Sequence, residues 1–255
     1  TVSYAVSVAN ANDTIYVDAG TYQEQVSIDK SLTIIGADSA GSSAAVIKAP
    51  VVMSVVANAN APDHTPIVYV KDTSTTVDIS HIGIDGDGRG GAKFSGVYYF
   101  EASGSFKNSR IYGVRDATYS GVQSGNAFFA NHTYDVSVDQ TVTVSNNVIE
   151  DYQKTGILIN ELNTHGIVTN NIVTGQSIQH VNGQNGIQFG YGAYGTITGN
   201  TVTGNQYNGP VSDDASGILI AGAGVDAANI PTGNTTTIGG PGALANIMSG
   251  NEVGL

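Results

Sequence analysis

"TGILINELNTHGIVTNNIVTG", Thr155 to Gly175, is answered thirty residues on by "NGIQFGYGAYGTITGNTVTG", Asn185 to Gly204. A Gly followed by a β-branched residue anchors both phrases, at Gly156-Ile157 and Gly186-Ile187. Similar pairs stand at Gly96-Val97, Gly121-Val122 and Gly217-Ile218, at intervals of 25, 35, 30 and 31 residues. A second anchor is an Asn ahead of an apolar pair, at Asn147, Asn171, Asn200 and Asn246, with Ser109 in the equivalent place one turn earlier. Self-similarity at such a period is the mark of a solenoid and is weighed before any local reading.

Between the anchors lie short stretches such as "TVTVSNNVI", "GIVTNNIV" and "GTITGNTV", whose alternation has the period of two that a half-buried strand requires. Val144, Val168 and Ile197 stand three residues before the Asn, and Ile149, Val173 and Val202 two after it. The odd step between the two sets lets both point inward only if the chain turns at the Asn. Asn accepts left-handed backbone angles, and stacked copies can bond their amides along an axis. The expected fold is all-β, a single-stranded right-handed parallel β-helix. At about 25 residues per coil it would have about ten coils and a length of about 50 Å.

Composition agrees with this reading. Charged residues make up 12% of the 255 and Gly supplies 33, so Asn, Thr, Ser and Gly carry the solubility. A net charge of −12 with only nine Lys and Arg excludes a nucleic-acid footprint. It suits a secreted or cell-surface protein and leaves calcium as a candidate ligand, with no cofactor required. Cysteine is absent, so no disulfide framework is expected. No apolar run is long enough for a membrane span, so no membrane insertion is expected. The first residues lack the basic leader of a signal peptide.

The whole chain, 1–255, is expected to form one domain. A short amphipathic helix within about residues 1–12 caps the open end, and the solenoid runs from about 13 to 255 and onward past Leu255. Longer loops are expected at Ala49–Pro66, Phe128–Gln140 and Ala221–Asn234.

"GTYQEQVSIDKSLTIIGA", Gly20 to Ala37, resembles the first coils of the pectin methylesterase and pectate lyase-like β-helix superfamily. The later phrases are similar to generic repeats of that superfamily, including its copper-associated periplasmic type. "IDGDGRGGAKFSGVYYFEASGSFKNSRIYGVRD", "GPVSDDASGILIAGAG" and "IGGPGALANIMSGN" are similar to repeats of large bacterial secreted surface proteins. The resemblance implies the fold and an extracellular setting. The family's catalytic phrases have no counterpart here: neither the paired Asp, Arg and Gln of the esterases, nor the calcium-binding Asp set of the lyases, nor the hydrolase Gly-His-Gly. No catalytic residue is therefore carried over.

The loops ahead of the Gly-aliphatic strands recur coil after coil, so their side chains should line one flank. They bring Arg115, Asp116, Tyr119, Asp151, Tyr152, Lys154, His180, Tyr207, Asp213 and Asp214 together. Tyrosine rings beside acids and amides suit a polysaccharide or cell-surface glycan; polar loops that only keep a rod soluble would look the same. A catalytic set is also conceivable in these loops, with Lys154 or Arg115 as base, Tyr119 or Tyr152 as proton donor and Asp151 near a metal. "DGDGRG", Asp85 to Gly90, offers alternate carboxylates to calcium, but the EF-hand spacing is absent and a tight turn explains it equally well. His64, His81, His132, His165 and His180 show no paired ligand spacing. The reading is an extracellular structural or adhesive module, with self-association open to it; the alternative is a polysaccharide lyase, epimerase or hydrolase.

Overall fold

The computed structural model describes residues 1–56, 63–91, 93–132, 138–210, 214–223 and 233–255. Its strands fall into three parallel sheets of eight, eight and seven members, and each successive strand in a sheet lies three elements further along the chain. We call them sheets A, B and C, in the order in which each coil visits them. This is a parallel β-helix, with right-handed crossovers as parallel connections require. The described residues form eight coils, not the expected ten. The 25-residue estimate ignored the long connections between sheets B and C and between C and A, such as Lys48 to Thr65 and Ala221 to Thr236, and at about 4.8 Å per coil the stack is nearer 35 Å than 50 Å long.

The interior is a set of aliphatic columns. Val144, Val168 and Ile197 are aligned in sheet A, and Ile149, Val173 and Val202 in sheet B; all six are fully buried. The corner between them divides its work between two residues. The left-handed conformation belongs to Asn108, Asn146, Asn170 and Gly199, each one position before the stacking residue. That next residue, Ser109, Asn147, Asn171 or Asn200, turns its side chain inward. The Asn147 backbone and side-chain amides both donate to Asn171 Oδ1 at 3.0 Å. Asn171 repeats this on Asn200 Oδ1, and Asn200 on Asn246 Oδ1. Each Nδ2 also reaches a carbonyl of the preceding coil, such as Val144 O from Asn171 at 2.8 Å. The buried polar column is thus satisfied along its length.

The Gly-aliphatic anchor is corrected at one coil. Sheet C pairs Phe128 with Val97 on one side and Ile157 on the other, so Ala127-Phe128 holds the place given to Gly121-Val122. Those two lie in the loop between Tyr112 and Asn126. Gly96, Ala127, Gly156, Gly186 and Gly217 then recur at 31, 29, 30 and 31 residues. Small residues are required because the position faces a crowded interior: a Cβ on Gly186 would stand 2.3 Å from Val202 Cγ1 and 2.5 Å from Gly217 O.

The first coil is closed by the helix Val2–Val8. Val2 and Val6, one turn apart, are buried. Thr1 accepts from the Tyr4 amide, and the Glu24 carboxylate accepts from the Val2 and Ser3 amides at 2.7 and 3.1 Å. Outside sheet C a second cluster stacks Tyr69, Tyr98, Phe129 and Leu158 in register. The chain around Val56 and His64 folds back over it, His64 lying 4.8 Å from Tyr98. Of the three expected loops, the second starts only after the strand Asn126–Asn131. The centres of all three (57–62, 133–137, 224–232) lie outside the described residues. Among those described, no helix is long and apolar enough to cross a membrane.

Candidate functional site

The flank between sheets B and C is built by loops 113–125, 151–154 and 180–184 and by residues 208–210 and 214–215, which occupy successive coils because the strands before and after them are in register. Asp151 is its hub. One carboxylate oxygen, Oδ1, accepts from Arg115 Nε at 2.7 Å, Gln176 Nε2 at 2.7 Å and the Tyr119 hydroxyl at 3.0 Å. Asp151 itself takes φ 51°, a left-handed conformation in a non-glycine residue. Arg115 also donates to the Asp116 and Ala117 carbonyls. The hydrogen bond to Asp151 raises the guanidinium pKa above its usual value. Burial, with the Asp151 charge beside it, pushes the Tyr119 phenol well up. Three coils are thereby fastened to one carboxylate.

Asp116 accepts from the Gly91 amide at 3.0 Å and from the Ser120 hydroxyl. Burial works against its charge, but the hydrogen bonds from Ser120, Gly91 and Gln153 outweigh it and hold the carboxyl below the usual range. Lys154 donates to Gly183 O at 2.7 Å. It also borders a cleft of about 650 Å³ with Asn185, Asp214, Ser216, Leu219 and Val253. His180 and Asp214 are exposed, and Asp213 lies outside the described residues.

Two tyrosines do not present rings to a ligand. Tyr152 is fully buried, and its hydroxyl donates at 2.5 Å to Asn205 Oδ1, two coils away. It reaches that far because Gly175 intervenes; a Cβ there would stand 2.7 Å from the same oxygen. Tyr207 is 7% exposed, its ring against Gly209. A phase shift explains both: the left-handed Asp151 stands between the inward Ile149 and Tyr152, and the left-handed Gly204 between the inward Val202 and Tyr207, so each odd step turns the ring inward.

The residues that sequence reasoning passed over are amides. Gln153 is buried, accepts from the Asp116 amide and donates to Val122 O, both at 3.0 Å. Gln184 donates to Tyr152 O at 2.5 Å and accepts from the Gln176 amide at 2.8 Å. Asn205 pairs with Asn251 as a second ladder at another corner. The available signal was the recurring Gly-Asn of "TGN" (198–200), "TGN" (203–205) and "SGN" (249–251).

In the "DGDGRG" turn, Lys48 stands 2.8 Å from Asp87 and 3.7 Å from Asp85, and Arg89 stands 2.6 Å from Asp87. The hydrogen bond to Asp87 raises the Lys48 pKa. These carboxylates face cations of the chain itself. Among the described residues no three His, Asp or Glu side chains gather as a metal site.

The three sheets and the amide ladder define the chain as a parallel β-helix solenoid. No family model matches it, and no curated protein does. Among solved structures it is similar to a pectin methylesterase variant crystallised with a hexasaccharide, at 14% identity over 76% of each chain and a TM-score of 0.37.

Proposed function

We propose that this chain is a structural and adhesive β-helix module of a bacterial secreted or cell-surface protein, holding a glycan along its loop-lined flank without turning it over. The observation that carries this reading is the Asp151 hub. The acid, guanidinium and phenol that a reaction would need are bonded to one another, and Tyr152 is spent inside the core. A base must be free to take a proton and a donor free to give one; here both are committed to fastening loops.

The contact on this reading is the cleft bordered by Lys154, Asp214, Asn185 and Ser216. Its wall mixes an apolar side at Leu219 with hydroxyl and amide groups, the combination that takes sugar faces and hydroxyls together. With nine cations in the chain, and Lys154 and Arg115 both donating to groups of the protein itself, a neutral polysaccharide fits better than an acidic one.

A glycan array, run with and without calcium and paired with product analysis, tests it. The expected result is retention of a neutral polysaccharide, unchanged in length, and about tenfold weaker in Asp214→Ala. Cleavage or epimerisation that disappears in Lys154→Ala would reverse the reading in favour of a polysaccharide-active enzyme.

A further inference from the structure

The outer face of sheet B changes character along the rod. Its two outward rows run through Lys48, Asp85 and Arg110 in the early coils, and Arg110 bonds to Glu150 across one coil step. Beyond Glu150 the rows hold no charge. One continues as Val148, Ile172, Thr201 and Ile247, the other as Thr174, Thr203 and Ser249. Val148, Ile172 and Ile247 are 37%, 50% and 61% exposed. Such a run of outward β-branched residues in adjacent coils is a contiguous apolar patch, not scattered single residues.

We infer that this patch is where a second copy of the chain docks, sheet B against sheet B, with the two solenoids antiparallel about a two-fold axis near Ile172 and Thr201. Charge decides both occupant and direction. Each chain carries −12, so copies repel unless they meet where neither bears charge, and this face is such a place. A parallel pairing would also set Lys48 against Lys48 and Asp85 against Asp85. An antiparallel one overlaps only the uncharged coils and sends the charged ends apart. Sheets packed face to face by interlocking β-branched side chains, about 10 Å apart, are a standard solution, and a two-fold makes one patch complementary to itself. Four strands about 4.8 Å apart, each giving about three residues to the face, offer about 200 Å² per copy, so the contact falls below the roughly 1,000 Å² at which specific interfaces begin and is a weak one. The dimer is therefore reversible and concentration-dependent.

Sedimentation equilibrium of the whole chain from about 10 μM to 1 mM tests this. The expected result is a monomer–dimer equilibrium that persists in 0.5 M salt, weakened tenfold or more by Ile172→Lys and by Ile247→Lys. Thr21→Lys, at an exposed position in the same outward row of the first strand of sheet B, should leave it unchanged. Circular dichroism and melting temperature check that the variants fold; both replaced side chains already face water. A chain that stays monomeric to 1 mM, a dimer indifferent to both isoleucine variants, or one lost in Thr21→Lys overturns the proposal. So does association abolished by salt, which would mean an ionic contact elsewhere.

Discussion

The first four coils and the last four share one topology but are held in register by different chemistry. Early coils fill the interior with Phe94, Tyr99, Phe106 and Phe128 and stack Tyr69, Tyr98 and Phe129 outside sheet C. Their outer rows are tied by Lys48, Asp85, Asp87, Arg110 and Glu150. Late coils have a mainly aliphatic core, with Tyr152 and Phe189 as its buried rings, and buried asparagine ladders. Aromatic rings are bulky and tolerate several packings, while a bonded amide column admits one register. Aliphatic columns give little register information, so the late coils obtain theirs largely from hydrogen bonds.

The comparison would break first at the ladder. Asn171→Ala removes both acceptor contacts for Asn147 and strands Val144 O in the interior; at ~1–3 kcal/mol for each unsatisfied buried group, urea unfolding should show a loss of ~4–5 kcal/mol. A loss under ~1 kcal/mol would mean that the amides are not what registers the late coils.

Next comes Tyr98→Ala, which empties the centre of a stack with rings at 5.4 Å (Tyr69) and 4.7 Å (Phe129) and removes a hydrogen bond to Asn131. The same measurement should show ~3–4 kcal/mol. Hydrogen exchange should loosen the early coils before the late ones, and a uniform loss would erase the distinction drawn between them.

Acid sharpens the contrast further. Burial against Tyr98, aided by Lys93 and opposed by Asp63, lowers the His64 pKa to about 4. A histidine depressed in the folded state contributes stability that is complete above its unfolded value near 6.5 and is lost as pH falls toward 4. The cost is at most ~3 kcal/mol. Melting temperatures between pH 7 and pH 4 should therefore fall more for the wild type than for His64→Gln; parallel curves would remove His64 from the account. The smallest effect is expected at Lys48→Met. Its partly exposed pairs contribute ~0.5–1 kcal/mol, and that difference should shrink further in 0.5 M salt.

Much of the rod was legible in the sequence. Inward columns at Val144, Ile149 and their successors follow from period-two alternation, and the stacked Asn from its place at a phase shift. The coil count failed because the connections between sheets vary in length, and requiring a Gly at the anchor selected Gly121 where Ala127 stands. The flank was located correctly in space because its loops precede strands that must align. Its interior contacts were not legible: whether Tyr152 faced a ligand or the core turned on the absent side chain at Gly175, thirty residues away from Asn205.

The sequence alone determined the solenoid, its capping helix, its Asn corner and the inward columns at Val144 and Ile149, since those depend on alternation and backbone preference over a few neighbours. Only the tertiary structure decided which residues meet across coils: Ala127 in the glycine column, Tyr152 on Asn205, and Arg115, Tyr119 and Gln176 on one oxygen of Asp151. Such meetings join residues tens of positions apart through loops of unequal length, and only the folded register fixes who faces whom.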